Sequence, residues 1–107
     1  MYMEWVQVVI DRPIGYQDSF GNVYPINYGY VEGVLGGDGE EQDVYILGVT
    51  EPIKQFEGEK IAVIHREDDV EEKWVAVPKG VCLSVEQIAK AVHFIEQYFD
   101  SSIEMLN

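Results

Sequence analysis

Apolar positions along this chain recur with two periods, and the change from one to the other falls near residue 80. Up to that point, short runs rich in β-branched and aromatic residues are separated by turn residues, which is the pattern of strands. Residues 5–10 read as a strand that ends at Asp11-Arg12-Pro13, because proline has no N–H to give to a ladder. Residues 44–49 and 60–65 read as two more, bounded by Thr50-Glu51-Pro52 and Glu57-Gly58-Glu59, and residues 73–77 as another that ends at Pro78-Lys79-Gly80. The glycine, proline, asparagine and tyrosine content of residues 14–30 predicts loops and short strands, with Phe20-Gly21-Asn22-Val23 as a turn into Val23-Tyr24. Short strands punctuated in this way predict a small closed β-barrel, in which closure removes exposed edges.

Beyond residue 80 the period lengthens. Val85, Ile88, Ala89, Val92, Ile95 and Phe99 recur at three- and four-residue steps, with Glu86, Lys90 and Gln97 off the stripe, which predicts one amphipathic helix lying against the barrel. Ser84 is its expected N-cap, and Gln87 completes a capping box. Tyr98 falls near the last turn, where its hydroxyl either reaches a site at the barrel mouth or its ring packs in the core or an interface. The expected class is mainly β (α+β), and residues 1–107 form one domain, since a chain of this length holds one core.

Charge narrows the choice of partner. Twenty acidic against seven basic residues give a formal net charge of −13, which repels nucleic-acid backbones and anionic membrane surfaces. The same field repels an anionic substrate, so phosphate chemistry here requires metal ions that reverse the sign locally. Cys82 is the sole cysteine, so no internal disulfide forms, and its place between Val81 and Leu83 predicts a small buried hydrophobe. No stretch approaches the roughly 18 apolar residues of a membrane span, and Met1-Tyr2-Met3-Glu4-Trp5 lacks a basic segment followed by an apolar one. A cytoplasmic location is the expectation. Trp5, Tyr16 and Phe20, if exposed, are candidates for a subunit contact in a homo-oligomer.

Two acidic runs carry the candidate chemistry. Residues 37–43 place Asp38, Glu40, Glu41 and Asp43 around Gly39, just ahead of an apolar strand. The second run, Glu67-Asp68-Asp69-Val70-Glu71-Glu72, joins two predicted strands. If both loops leave the barrel at one end, their carboxylates converge and repel one another unless cations sit between them. Mg²⁺ suits such a site, because it takes oxygen ligands and commonly shares them between a few carboxylates and a phosphate group. The alternative is a pair of solvated loops that keep the protein soluble.

Three segments together decide between these readings: Tyr24-Pro25-Ile26-Asn27-Tyr28-Gly29-Tyr30, Asp38-Gly39-Glu40-Glu41-Gln42-Asp43-Val44 and Lys73-Trp74-Val75-Ala76-Val77-Pro78. In order and spacing the chain resembles the soluble family I inorganic pyrophosphatases, in a shortened and divergent form. The likeness runs over residues 8–77, with a weaker match over 93–98. The resemblance implies a small OB-like five-stranded β-barrel with helical cover, and Mg²⁺-dependent hydrolysis of inorganic pyrophosphate to two phosphates, with Mn²⁺ as a second candidate cation. It also implies roles. Asp11, Asp38, Asp43, Asp68 and Glu71 fall on metal ligands, Asp43 bridging the cations that bind the attacking water. Glu40 falls on the general base, and Tyr28, Lys73 and Tyr98 fall on groups that bind phosphate oxygens.

The departures are as specific as the matches. Glu40 stands where the family has an aspartate, Asp11 where it often has a glutamate, and the loop that carries Glu71 is shorter. The lysine and arginine that the family places ahead of the YPxNYGY run have no counterpart in residues 14–23, and Phe99 stands where a further lysine follows the Tyr98 position. Arg12 and Arg66 are the candidate replacements, since an arginine fork suits phosphate. A surface ion pair is the other reading of Arg12. His65 reads as a strand residue rather than a ligand, and His93 as structural. Loss of phosphate-binding cations leaves a second function open, a catalytically weak domain that binds or hydrolyses another phosphorylated metabolite.

Overall fold

The computed structural model describes residues 4–67 and 70–106, in the order β1 (Glu4–Arg12), β2 (Asn27–Leu35), β3 (Glu41–Ile46), β4 (Gln55–Arg66), β5 (Glu72–Val77), α1 (Val85–Glu96) and β6 (Ser101–Met105). The sheet runs β1-β2-β3-β5-β4-β6, and an added β1–β4 pairing closes the first five strands into a barrel. All the pairings are antiparallel except β3–β5. The expected five-stranded barrel with a helix near the C-terminus is borne out.

Alternation explains how one small sheet serves two cores. Val6, Val8 and Ile10 of β1 point inward with Val44, Ile46 and Ala76, while Tyr45, Leu47, Val75 and Val77 point the other way and meet Ile88 and Val92 of α1. β3 and β5 are therefore buried on both faces, and their sequences are near-continuous apolar runs for that reason. Gly29 permits the close approach of β2 to β1. A Cβ there would lie 2.0 Å from the Val9 carbonyl oxygen, so no other residue fits without moving the strand. Asn27 is fully buried and ties two loops together: its Oδ1 accepts from Ile14 N at 3.0 Å, and its Nδ2 donates to the Glu51 carbonyl at 3.0 Å.

Several expectations change. Residues 27–35 form a full strand, and Val23 contributes only an isolated bridge to Gln17. The outer half of β2 is exposed and lacks the alternation of a half-buried strand, so its pattern resembles a loop. β6 extends the sheet at β4 and was not expected. The capping box at Ser84 is present, with Ser84 Oγ accepting from Gln87 N at 3.1 Å and Gln87 Oε1 accepting from Ser84 N at 2.8 Å. The helix ends before Tyr98, and its inner face carries Ile88, Val92 and Glu96, with Ala89 exposed. Cys82 is exposed, because in the extended stretch before the helix Val81 and Leu83 turn inward and leave it outward. Among the described residues no helix is long and apolar enough to cross a membrane.

Candidate active site

The two acidic loops leave the barrel at the same end. A Cβ on Gly37 would lie 2.3 Å from the carbonyl oxygen of Val70, so the 36–40 turn packs directly on the β4–β5 connection. Beside them opens a cleft of about 730 Å³ between the barrel and the segment that follows α1.

Strand register builds its floor. The parallel pairing of Val44 with Trp74 sets Asp43 and Lys73 side by side, and Tyr28, paired with Tyr45, lies one strand further on. Lys73 is nearly buried, and its Nζ donates to Asp43 Oδ2 at 2.6 Å, Glu71 Oε2 at 2.6 Å and the Tyr28 hydroxyl at 2.8 Å. Burial lifts the Glu71 carboxyl above its usual range; Lys73 pulls it back without cancelling, and the neighbouring Asp43 charge adds to the rise. Burial, and then the Asp43 charge, push the Tyr28 phenol well up, so it stays protonated and serves as a neutral hydrogen-bonding group.

β1 supplies the wall. Its register with β2 shifts between Ile10 and Arg12, a local irregularity that re-aims side chains and brings both Asp11 and Arg12 to the cleft. Partial desolvation raises the Asp11 carboxyl, and repulsion from Asp43 adds to this against the pull of its own backbone amide and of Arg12. Arg12 Nη1 donates to the Tyr24 hydroxyl at 2.5 Å, and its guanidinium carbon lies 5.2, 5.5 and 5.8 Å from the ring centres of Tyr16, Tyr24 and Tyr28. Stacking and hydrogen bonding hold the fork in place at the cleft.

Arg66 also lines the cleft but is committed to a neighbouring network. Its Nε and Nη2 donate to Glu96 Oε1 and Oε2 at 3.1 and 2.6 Å, its Nη1 donates to Glu71 Oε1 at 3.3 Å, and its guanidinium carbon lies 3.7 Å from the centre of the Phe99 ring. Phe99, the residue in place of an expected lysine, thus supports an arginine. Glu96 also accepts from Tyr45 Oη and Ser101 Oγ, each at 2.6 Å. Burial favours the neutral form of Glu96, but Arg66, Ser101 and Tyr45 outweigh it and hold the pKa below the usual range. This network was missed in the sequence. Its signal is a carboxylate four residues after Val92 and eight after Ile88, on the stripe that faces the core.

The remaining expected residues lie around the mouth. Tyr98 is mostly exposed on the cleft rim. Asp38 and Glu40 sit on the exposed turn outside the cleft, where Asp38 Oδ1 accepts from the Glu40 amide at 3.0 Å. Asp68 lies outside the described residues. The structure therefore brings Asp11, Asp43, Glu71, Lys73, Tyr28 and Arg12 together and leaves Asp38 and Glu40 beside them. Among the described residues no group of three or more histidine, cysteine, aspartate or glutamate side chains is arranged to hold a metal ion. Asp43 and Glu71 instead share the Lys73 ammonium. The donors at the mouth are nonetheless all carboxylate oxygens, and Asp11 and Asp43 repel each other, which is the chemistry a hard cation relieves.

The strand ends of a small β-barrel thus deliver carboxylates, cations and phenols to one cleft. The chain is 40% identical over 63 residues to the inorganic pyrophosphatase of Aeropyrum pernix, an alignment covering 54% of this chain and 35% of that protein, so the match spans about a third of the relative's length. Its structure is similar to that of an inorganic pyrophosphatase from Ehrlichia chaffeensis (TM-score 0.71, 18% identity, 94% of this chain and 85% of that one). Similar likeness is found to the Neisseria gonorrhoeae enzyme (0.66, 20%, 88% and 73%) and the Helicobacter pylori enzyme (0.66, 19%, 100% and 87%). No protein-family model matches the chain. The resemblance read from the three sequence segments is borne out, and the fold is that of the inorganic pyrophosphatases.

Proposed function

We propose that the chain is a divalent-cation-dependent phosphoanhydride hydrolase that converts inorganic pyrophosphate and water into two phosphates. The observation that carries this reading is the Lys73 ammonium held by Asp43, Glu71 and Tyr28 on the floor of the cleft, with Asp11 and Arg12 on its wall. Asp11, Asp43 and Glu71 would hold the cations, Mg²⁺ first and Mn²⁺ second, with Asp38 and Asp68 contributed by the flanking loops. Bound divalent ions acidify water and neutralise phosphate charge.

The chain's own groups do the rest. Arg12 binds the oxygens of the departing phosphate above the positive charge of Lys73, and the Tyr28 phenol donates to one of them. Charge that builds as the bridging P–O bond breaks is thereby stabilised by groups already in place. Water becomes bonded to one phosphorus, its proton passes to a carboxylate, and the bridging oxygen leaves with the other phosphate. Glu40, on the exposed turn beside the mouth, is the assigned proton acceptor. No covalent intermediate is required.

The test is phosphate release from pyrophosphate with Mg²⁺ or Mn²⁺, by the parent, Asp43→Asn and Arg12→Ala. The expected result is release by the parent that falls in both variants. Equal rates in all three would end the assignment.

A further inference from the structure

Pyrophosphate alone leaves much of the cleft unexplained. A cavity of about 730 Å³ is in the size range that takes a drug-sized organic ligand. Half of the residues that line it are aromatic or aliphatic; Tyr24, Tyr28 and Tyr45 are buried in its floor and wall, while Phe20 and Tyr98 stand exposed at its edge. Phe20 is 89% exposed and Tyr98 is 64% exposed, yet both border the same opening. Two exposed aromatic rings at one opening give an organic group a surface to cover.

Phe20 is also held out deliberately. It stands at the tip of a tight turn in which Asp18 Oδ1 accepts from the amides of Phe20 and Asn22, both at 2.9 Å, and Asp18 Oδ2 accepts from Asn22 Nδ2 at 3.0 Å. The ring is therefore presented on a preformed tip, so little ordering remains to be done on binding. Asp18 and Asn22 line the same rim and offer polar groups beside the ring. An aromatic face with polar neighbours suits a planar heterocycle better than an aliphatic chain. The net charge of −13 repels a polynucleotide, and a single nucleotide presents far fewer phosphates to that field.

We infer that the cleft accepts a nucleoside diphosphate, its base stacked against Phe20 and Tyr98 on the rim and its phosphates directed to Arg12, Lys73 and Tyr28 on the floor. This rests on the reading of the floor as a phosphoanhydride site and adds the organic group that the rim selects.

Calorimetry with Mg²⁺ tests it without turnover, by comparing methylenediphosphonate with the α,β-methylene analogue of ADP. The nucleotide analogue is expected to bind about fivefold tighter or more, the factor that one stacked base supplies. Phe20→Ala should reduce the ratio of the two affinities by about five- to tenfold, and Phe20→Trp should restore it. Because Phe20 is almost wholly exposed, neither change threatens the fold. Equal affinity for the two compounds would overturn the inference and leave the floor's assignment standing. So would an alkyl-tailed diphosphonate of similar size gaining as much as the nucleotide. If neither compound binds, the phosphoanhydride reading fails as well.

Discussion

Two cation–carboxylate clusters lie next to each other in this barrel, made of nearly the same ingredients, and they differ in how completely they are satisfied. Around Glu96, four donors from Arg66, Tyr45 and Ser101 close on one buried carboxylate. Around Lys73, two carboxylates and a phenol meet one ammonium, and the Asp43 side chain, which lines the cleft, retains 27% of its exposure. The first cluster has no lone pair left for a ligand and contributes specificity of packing. The second keeps one carboxylate, Asp43, on the lining of the cleft. Glu71 connects them, since it receives both Lys73 and Arg66. Residue type alone does not tell the two clusters apart; what differs is that Glu96 is enclosed, while Asp43 reaches the cleft.

The contrast is broken most severely at Glu96. Glu96→Ala leaves Arg66 buried without its main partner and is expected to cost about 3–5 kcal/mol of stability, which chemical denaturation would read directly. The depressed Glu96 pKa gives the same cluster a pH signature. Its contribution is complete above the unfolded value near 4.5 and is lost as pH falls through the lower folded value. Wild type should therefore lose more stability on acidification through that window than Glu96→Gln does.

Next in size is Asp43→Asn. It removes one charge from the open cluster while Lys73 keeps Glu71 and Tyr28, so the unfolding midpoint should stay close to that of wild type while the rate of phosphate release falls on the order of a hundredfold. A large stability loss with little change in rate would reverse the roles assigned to the two clusters. Arg12→Ala should cost about tenfold in rate, the value of a charge-assisted hydrogen bond to the substrate. Arg12→Lys is not expected to restore it, because an ammonium reproduces neither the fork nor its stacking among Tyr16, Tyr24 and Tyr28.

What was legible in the sequence follows the same division. The barrel was readable because β3 and β5 are apolar on both faces and α1 keeps a 3.6-residue stripe behind a capping box. β2 was not, since its outer half is solvated and carries no alternation. The floor of the site was readable as residue types, but the engagement of Lys73 by Asp43 and Glu71 depends on a parallel β3–β5 pairing that no local pattern specifies. Arg66 looked like a phosphate ligand because a strand-end arginine beside acidic residues gives no hint that a helix will deliver Glu96 to it. Trp5, Tyr16 and Phe20, candidates for a subunit contact if exposed, are all exposed. The structure puts Tyr16 against Arg12 and Phe20 on the cleft rim, while Trp5 lies on the outward face of β1.

The smallest expected effect concerns a third charged group, outside both clusters. His65 lies on β4 with Nδ1 2.7 Å from Glu72 on β5 and Nε2 2.7 Å from Glu104 on β6, so both ring nitrogens face carboxylates and the doubly protonated ring fits best. The Glu104 hydrogen bond is the main cause of a raised pKa, opposed by desolvation and supported by Glu72. A raised folded value means that the stabilisation is complete below the unfolded value near 6.5 and is lost as pH rises through the folded one. The side chain is 36% exposed, which screens the pair and limits the shift in unfolding midpoint to about 4 °C or less. Thermal unfolding of wild type and His65→Gln should therefore differ at pH 6 and converge by pH 9. Because β6 is held by β4 alone in the sheet, amide exchange at Ile103 and Met105 should quicken over the same interval. If exchange quickens instead throughout the barrel, His65 is tied to the global stability of the molecule, and the division into a closed core and locally adjustable margins does not extend to this edge.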